Sequence, residues 1–477
     1  MTTDTPANTD TPGGTDPAAT TDPAAAAAPG ATARLAAFTA GLDLAALPGA
    51  VVHEAKRALV DWLAAALAGA GEPPTDALQR ASRRLAPGGT ATVVGRAERA
   101  TAPFAALLSG FASHLQDYDD TFNPGDTTVH GSAPVWPVVF ALGEQYAVSG
   151  AAALTAFVAG FETEARVGIA AGPGHYEAGW HVTGTTGHLG AAACGARLLG
   201  LTPGQTAHAL GCAGTQAAGL KEVYGTDCKA LHPGKAAMDG LLAAVLADEG
   251  FTSAPTIIEG PRGFLAVLAP APTTAPLTEG LGSRWHLKAN GYKAYPSGSL
   301  THPTLDALLA LRERHGFTAD EVASVRARVH PYAATVTGKV RPRTGLDAKF
   351  SLTHGAAVAL TAPRPALEHF TDEGAADPRT AQVAERVEVV ADENIGKRGA
   401  EVSVTLRSGR VLSGTVTDNK GTPGNPMTDA DLAAKFLDVA APRLGAGPAR
   451  SLLDTCWAAE DLADFGDLVR RTAGGAA

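Results

Sequence analysis

Near residue 285 the sequence changes its hydrophobic period, and that change limits the available folds more than any other feature. Before it, from Leu35 to about Leu281, apolar residues recur at helical spacing. Val52, Ala55, Leu59, Trp62, Leu63 and Leu67 fall on one helical face, and Gly69, Gly71, Pro73 and Pro74 stop that helix. Gly150 to Gly168 reads as a small-residue helix with Glu162, Glu164 and Arg166 near its end. Pro203, after Leu201 and Thr202, stands where a proline opens a helix. Ala-rich helices approach one another closely, so a tight bundle is expected.

Beyond residue 285 the residues alternate. Val322 to His330 reads as a strand, as does Arg386 to Val390. Val402 to Leu406 and Arg410 to Val416 flank Ser408-Gly409, the signature of a hairpin with a two-residue turn. Pro303 to His315 fits a helix through Leu305, Leu308, Leu309 and Leu311. The helical period returns at Thr428-Asp-Ala-Asp431 and runs through Leu432, Phe436, Leu437 and Val439. The expected fold class is mainly α with an α+β second domain. An all-helical domain, 32–283 and 421–477, is formed by both ends of the chain, and an α+β lid domain, 284–420, is inserted between them. A length of 477 residues suits two or three units.

Residues 1–31 stand apart. Apart from Met1 and Asn8 they are Thr, Pro, Ala, Gly and Asp, with Asp4, Asp10, Asp16 and Asp22 evenly spaced and no basic residue before Arg34. Such a composition cannot offset chain entropy, so a disordered tail is expected. It also lacks the basic start and apolar core of a signal peptide.

Composition removes several functions. With 48 acidic and 38 basic residues the net charge is −10, which disfavours nucleic acid or a membrane surface as partner. The longest charge-free stretch, Leu198 to Leu220, holds Pro203, Gln205, His208 and several glycines, a poor membrane span. The 4 cysteines, Cys194, Cys212, Cys228 and Cys456, form no C-x-x-C pair and are too few for a disulfide scaffold. A reducing, cytoplasmic compartment is expected. Dinucleotide, P-loop, zinc-protease and nucleophile-elbow motifs are all missing.

Four polar segments remain. His114-Leu-Gln-Asp117-Tyr-Asp119-Asp120-Thr121 is followed by Asn123 to His130. The four-residue spacing puts Asp117 and Thr121 on one helical face, with Asp119 and Asp120 pointing elsewhere. On residue type the segment suits a capped helix end, a divalent-metal site through the aspartates and His130, or acid/base chemistry. The second, Gly179-Trp-His181-Val-Thr183-Gly-Thr185-Thr186-Gly-His188, precedes an Ala-rich helix at Leu189 to Leu199. It reads as a helix N-terminus facing an anion, or as a capped loop with a packed histidine. The third, Asp227 to Lys235, leads into an apolar helix with Lys229 and His232 facing an anion or solvent. The fourth, Leu287 to Pro303, carries Lys293 at the junction of the two domains, where clefts form. Together they supply histidines, lysines and hydroxyls, a set suited to holding carboxylates and moving a proton at carbon.

These segments carry a resemblance. Over about Ala33 to Gly445 the chain resembles the MmgE/PrpD family, which includes 2-methylcitrate dehydratase, cis-aconitate decarboxylase and iminodisuccinate epimerase. The carriers are Asp117 to Thr121, Gly179 to Gly184, Lys229 to Gly234, Tyr292 to Pro296, Arg343 to Leu352 and Lys420 to Pro426. The resemblance implies a helical domain with an α+β lid, a homodimer, and catalysis with no metal and no organic cofactor. Matched position by position, it places active-site residues at Asp117, Thr121, His130, His181, Lys229 and Lys293. A further position, tyrosine in the animal decarboxylase, falls on His354. Two other features depart from that decarboxylase: a longer loop from Thr121 to His130, and Gly131 in place of proline after His130.

What the resemblance implies for function is a lyase on a small di- or tricarboxylic acid, working by proton transfer at carbon beside a carboxylate. Dehydration of a 2-methylcitrate-like acid comes first, with decarboxylation of a cis-aconitate-like acid or epimerisation of an iminodisuccinate-like acid as alternatives. The expected catalytic residues are then His130, Lys293, His181 and His354, with His130 and Lys293 as the proton-transfer pair. Asp117, Thr121, Lys229 and His232 are expected to bind substrate, and no metal ligand is expected. Tyr292 and Tyr295 are expected to lower the Lys293 amine into the range of a base.

Overall fold

The structure, a computed structural model, describes residues 29–125 and 127–473. The expected tail therefore lies outside the described residues up to position 28. The chain is mainly helical, with a smaller α+β part toward its C-terminal end. Among the described residues no helix is long and apolar enough to cross a membrane.

The first part is built mainly on the helices α1 (Ala31–Gly41), α2 (Gly49–Gly69), α3 (Pro73–Leu85), α4 (Ala102–Leu115), α5 (Ser132–Gln145), α6 (Gly150–Glu177), α7 (Val182–Leu198), α8 (Pro203–Gly214) and α9 (Asp227–Asp248). Side-chain caps set several of their starts. Ser149 caps α6, Thr226 caps α9, and at α8 Thr202 and Gln205 form a capping box ahead of Pro203. Helix α6 extends past Gly168 and breaks at Gly172, whose φ is 69°, just before Pro173. Glycine sets the bundle spacing: a Cβ on Gly110 of α4 would lie 2.8 Å from Cα of Gly234 on α9.

Large aromatic side chains fill the centre of this bundle. Trp136 stacks on Phe157 with ring centroids 4.2 Å apart, and Trp62 meets Phe140 edge-on at 4.6 Å. Phe465 lies against the same Trp136, so the end of the chain completes a core begun by α2. The helix Asp429–Leu444, opened by the Thr428–Asp431 capping box, contributes Leu432 and Phe436 to that core.

A second core lies against a four-stranded sheet ordered Val387–Ala391, Val322–Val329, Ala400–Leu406, Val411–Val416. The first pair is parallel and the other two are antiparallel. Val402, Val404 and Leu406 point inward at alternate positions, against the helices His302–His315 and Leu352–Thr361. Ala294 packs against both cores, while Trp285, Leu287 and Tyr292 belong to the first and Tyr295 to the second.

Three local expectations need correction. The hairpin loop has three residues, Arg407 to Gly409, because Leu406 and Arg410 still pair; Gly409, at φ 85°, supplies the left-handed third position. Helix α7 begins at Val182, so the segment read as preceding a helix forms its first two turns. Asp117 and Thr121 share no helical face. Helix α4 ends at Leu115, Asp117 turns to φ 52°, and Thr121 enters a strand paired with Asn290–Gly291. That short ladder, with a further bridge from Phe122 to Val129, brings residues 117–130 beside the segment that carries Lys293.

Candidate active site

Two linked clusters meet where the cores join. The first centres on Asp117, whose Oδ1 accepts from Lys229 Nζ at 2.7 Å and whose Oδ2 lies 3.2 Å from Lys293 Nζ. Lys293 also donates to the Asp117 carbonyl at 3.0 Å. Burial pushes the Asp117 carboxyl up, but the two ammonium groups outweigh it and hold the group well below the usual range. Lys293 is buried against this carboxylate, a polar setting and not the purely apolar one its tyrosine neighbours suggest.

Burial pulls the Lys349 amine down to about 8, although Asp117 and Glu72 oppose the shift. Its Nζ donates to the carbonyl and side-chain oxygen of Gln116, at 2.9 and 2.7 Å. Lys349 sits in one of the family-like segments, yet nothing in its local pattern marks it as a site residue.

Asp119 organises the second cluster. Its Oδ2 accepts from Nδ1 of His114 at 2.8 Å and lies 3.1 Å from Nδ1 of His130, which also donates to the Asp120 carbonyl at 2.8 Å. Burial raises the Asp119 carboxyl, and the two imidazoles more than reverse this, keeping it well below its usual range. His114 stacks on His181 with centroids 5.6 Å apart, and His181 Nδ1 meets His232 Nδ1 at 2.9 Å. Burial lowers His114 to about 4 and His181 well below the normal imidazole value. His232 falls to about 4 for the same reason, with the Lys229 charge adding to it.

The other carboxylate of the segment, Asp120, faces away from the imidazoles. It accepts from the Ser132 hydroxyl and the Asn290 amide, both at 2.6 Å, and burial pushes it up to about 7. A cavity of about 590 Å³ opens beside the two clusters. Its lining includes His114, Asp117, Lys229, Lys349, Phe350 and Phe370.

The structure thus brings together Asp117, His130, His181, Lys229, His232 and Lys293, with Thr121 at the edge of the group in its ladder with Gly291. His354 does not line the cavity: its Nε2 bonds to the His369 carbonyl and its ring meets that of Phe370, a lining residue, at 5.6 Å. Lys235 and His188 form a separate cluster on Asp239. Sequence reasoning passed over His114 and Lys349 as site residues and offered Asp119 only as one aspartate of a possible metal site. A weak signal existed for His114 and Asp119, since they bracket Asp117 within a six-residue segment.

Comparison with known proteins matches this architecture in two blocks. A family model of the MmgE/PrpD N-terminal domain covers residues 33–276, and one of the MmgE/PrpD C-terminal domain covers 295–459. A cis-aconitate decarboxylase of Aspergillus terreus is 27% identical over 439 residues, spanning 86% of this chain and 89% of that protein. Cis-aconitate decarboxylases of Mus musculus and Homo sapiens are each 26% identical, covering 92% and 91% of this chain and 92% of each relative.

Proposed function

The chain belongs to the MmgE/PrpD family, and from that premise we propose that it is a lyase that decarboxylates a small, unsaturated tricarboxylic acid of the cis-aconitate type. The observation that carries the reading is the convergence of Lys229, Lys293 and Lys349 on Asp117 and Gln116, beside imidazoles ordered by Asp119. Two ammonium groups lining one cavity, Lys229 and Lys349, with Lys293 beside them on Asp117, suit a polyanion, and the neighbouring imidazoles supply proton transfer.

In that reaction the bond to one carboxyl carbon breaks and carbon dioxide leaves. The electron pair passes into the remaining unsaturated carboxylate, and a proton then closes the carbon. The lysines hold the remaining carboxylates and stabilise the charge that develops on them. His130 delivers the proton, with Asp119 at 3.1 Å fixing its tautomer and offsetting the charge of the imidazolium. Lys293 is its partner in proton transfer. His181 and His232 position the substrate with Thr121, and His354 acts through Phe370 on the shape of the cavity.

Dehydration of a 2-methylcitrate-like hydroxy acid is the second reading. It is favoured by His354 in place of tyrosine and by the extended loop from Thr121 to His130. The homodimer implied by the family is a further proposal, to be checked by light scattering. The deciding experiment incubates the protein with aconitate-like, citrate-like and iminodisuccinate-like acids and identifies products by mass spectrometry. Loss of carbon dioxide supports decarboxylation, loss of water replaces it with dehydration, and unchanged mass with a new stereocentre replaces both with epimerisation.

A further inference from the structure

Three imidazoles in the site are arranged as ligands. One ring nitrogen each of His114, His130 and His181 lies within 4.8 Å of those of the other two, and all three residues are buried. Hydrogen bonds already engage Nδ1 of every ring: His114 with Asp119, His130 with the Asp120 carbonyl, His181 with His232. Nε2 is therefore the atom each has left to offer. For His114 and His130 the acceptors at Nδ1 are oxygens, so their Nδ1 carries the hydrogen and Nε2 carries a lone pair. His114 Nε2 is fully buried and has no hydrogen-bond partner. Imidazole nitrogens gathered this closely in a buried cluster attract an electrophile.

We propose that His114, His130 and His181 form a binding site for a divalent transition metal of the Zn²⁺ class, and that its occupation shuts off the activity proposed above. Three neutral imidazoles with an open fourth position are a coordination set that zinc accepts, whereas Mg²⁺ and Ca²⁺ demand oxygen ligands. Zinc–nitrogen bonds of about 2.0–2.1 Å require the three nitrogens to close to roughly 3.4 Å, a movement of small ring rotations. The supporting layer is present as well. One Asp119 oxygen meets Nδ1 of both His114 and His130, the carboxylate–imidazole–metal arrangement that orients such ligands. A metal here takes up the Nε2 lone pair of His130 and so removes the proton carrier. It is an inhibitor, outside the turnover. Only this inhibitory consequence rests on the proposed function; the binding does not.

The test separates the two. Isothermal titration of the full chain with ZnCl₂, with no acid present, is expected to show one site. Affinity should fall more than tenfold in His114→Ala and in His181→Ala, and about 10–100-fold in Asp119→Asn, which touches only the supporting layer. Cys228→Ser, which removes the one exposed thiol, should leave it unchanged. Equal affinity in the histidine variants, or the lack of a single saturable site, overturns the proposal. Should the variants fail to fold, anomalous diffraction at the zinc edge from wild-type crystals decides: an ion between the three rings supports the site, and an ion elsewhere or none refutes it. Inhibition is then read as loss of turnover at stoichiometric zinc, restored by a chelator; persistence of full turnover with the site loaded refutes the regulatory part. Failure of every acid in the product screen counts against the proposed function and leaves the calorimetric result standing.

Discussion

Asp117 and Lys293 meet where the two hydrophobic cores join, carboxylate to ammonium at 3.2 Å, although 176 positions of chain separate them. The other oxygen of the same carboxylate takes Lys229, so one buried anion holds two cations together. The left-handed turn at Asp117 makes this reach available: directly after helix α4 the backbone reverses and presents both the carbonyl and the carboxylate to Lys293.

Lys293→Arg keeps the charge but offers no base at neutral pH. If Lys293 exchanges a proton with substrate, kcat falls about 10²–10⁴-fold while KM changes only a few-fold. A residue that merely anchors a carboxylate gives the opposite pattern, a raised KM with kcat retained. Steady-state kinetics on the acid found by product screening decide, and more than about a tenth of wild-type kcat in the arginine variant would exclude the proton-transfer role.

Asp119→Asn tests the organiser of the imidazoles. The amide is nearly the same size but carries no charge to offset an imidazolium and does not hold both Nδ1–H donors in their present register. A drop in kcat of about 10²-fold or more with KM nearly unchanged is expected. A variant that loses KM alone would place Asp119 in substrate binding instead.

The helical bundle was legible because its signals are local. Val52 to Leu67, Pro203 and the Thr428–Asp431 box each announce a helix within a few residues. The site was legible only in part. Lysines and histidines inside family-like segments were found, whereas Asp119 gains its meaning from the two imidazoles that the turn after α4 folds onto it, and Lys349 from burial and a partner 233 positions away. The spacing of Asp117 and Thr121 misled because periodicity assumes that the helix continues, and α4 ends two residues before Asp117. The metal-like set also differs from the one the sequence offered: three histidines from separated segments, with the aspartates behind them or turned away.

Beneath the site, Lys435 donates to Asp61 at 2.6 Å and to the carbonyls of Tyr118 and Lys293 at 2.7 and 3.1 Å. Both ionic partners are buried, so removing one strands the other. Lys435→Met is expected to cost about 3–5 kcal/mol in denaturant unfolding, and the double variant Asp61→Leu/Lys435→Met to recover most of it. Equal stability of the single and double variants would show that the Asp61 charge is not what the lysine neutralises. The single variant should also lower kcat, since the carbonyl of Lys293 loses a donor that fixes its backbone.

Glu164 offers a prediction about pH. It lies on α6 with no exposure, beside Gly190 of α7, and burial pushes its carboxyl well above the usual range, with the Asp120 charge adding to the shift. The folded protein therefore keeps a proton on Glu164 that the unfolded chain releases near an ordinary value of about 4.3. Above that pH the unfolded state binds fewer protons, so the contribution of Glu164 to stability declines as pH rises, until the pH passes the raised folded value. Glu164→Gln holds the same shape without a proton to lose. Its melting temperature should match wild type near pH 4 and exceed it by a margin that grows from about pH 5 to pH 8. Melting curves of both proteins across that range, followed by circular dichroism, make the comparison. A difference that stays constant with pH would mean that Glu164 is ionised in the fold, and a margin that grows toward acid would reverse the sign of its contribution.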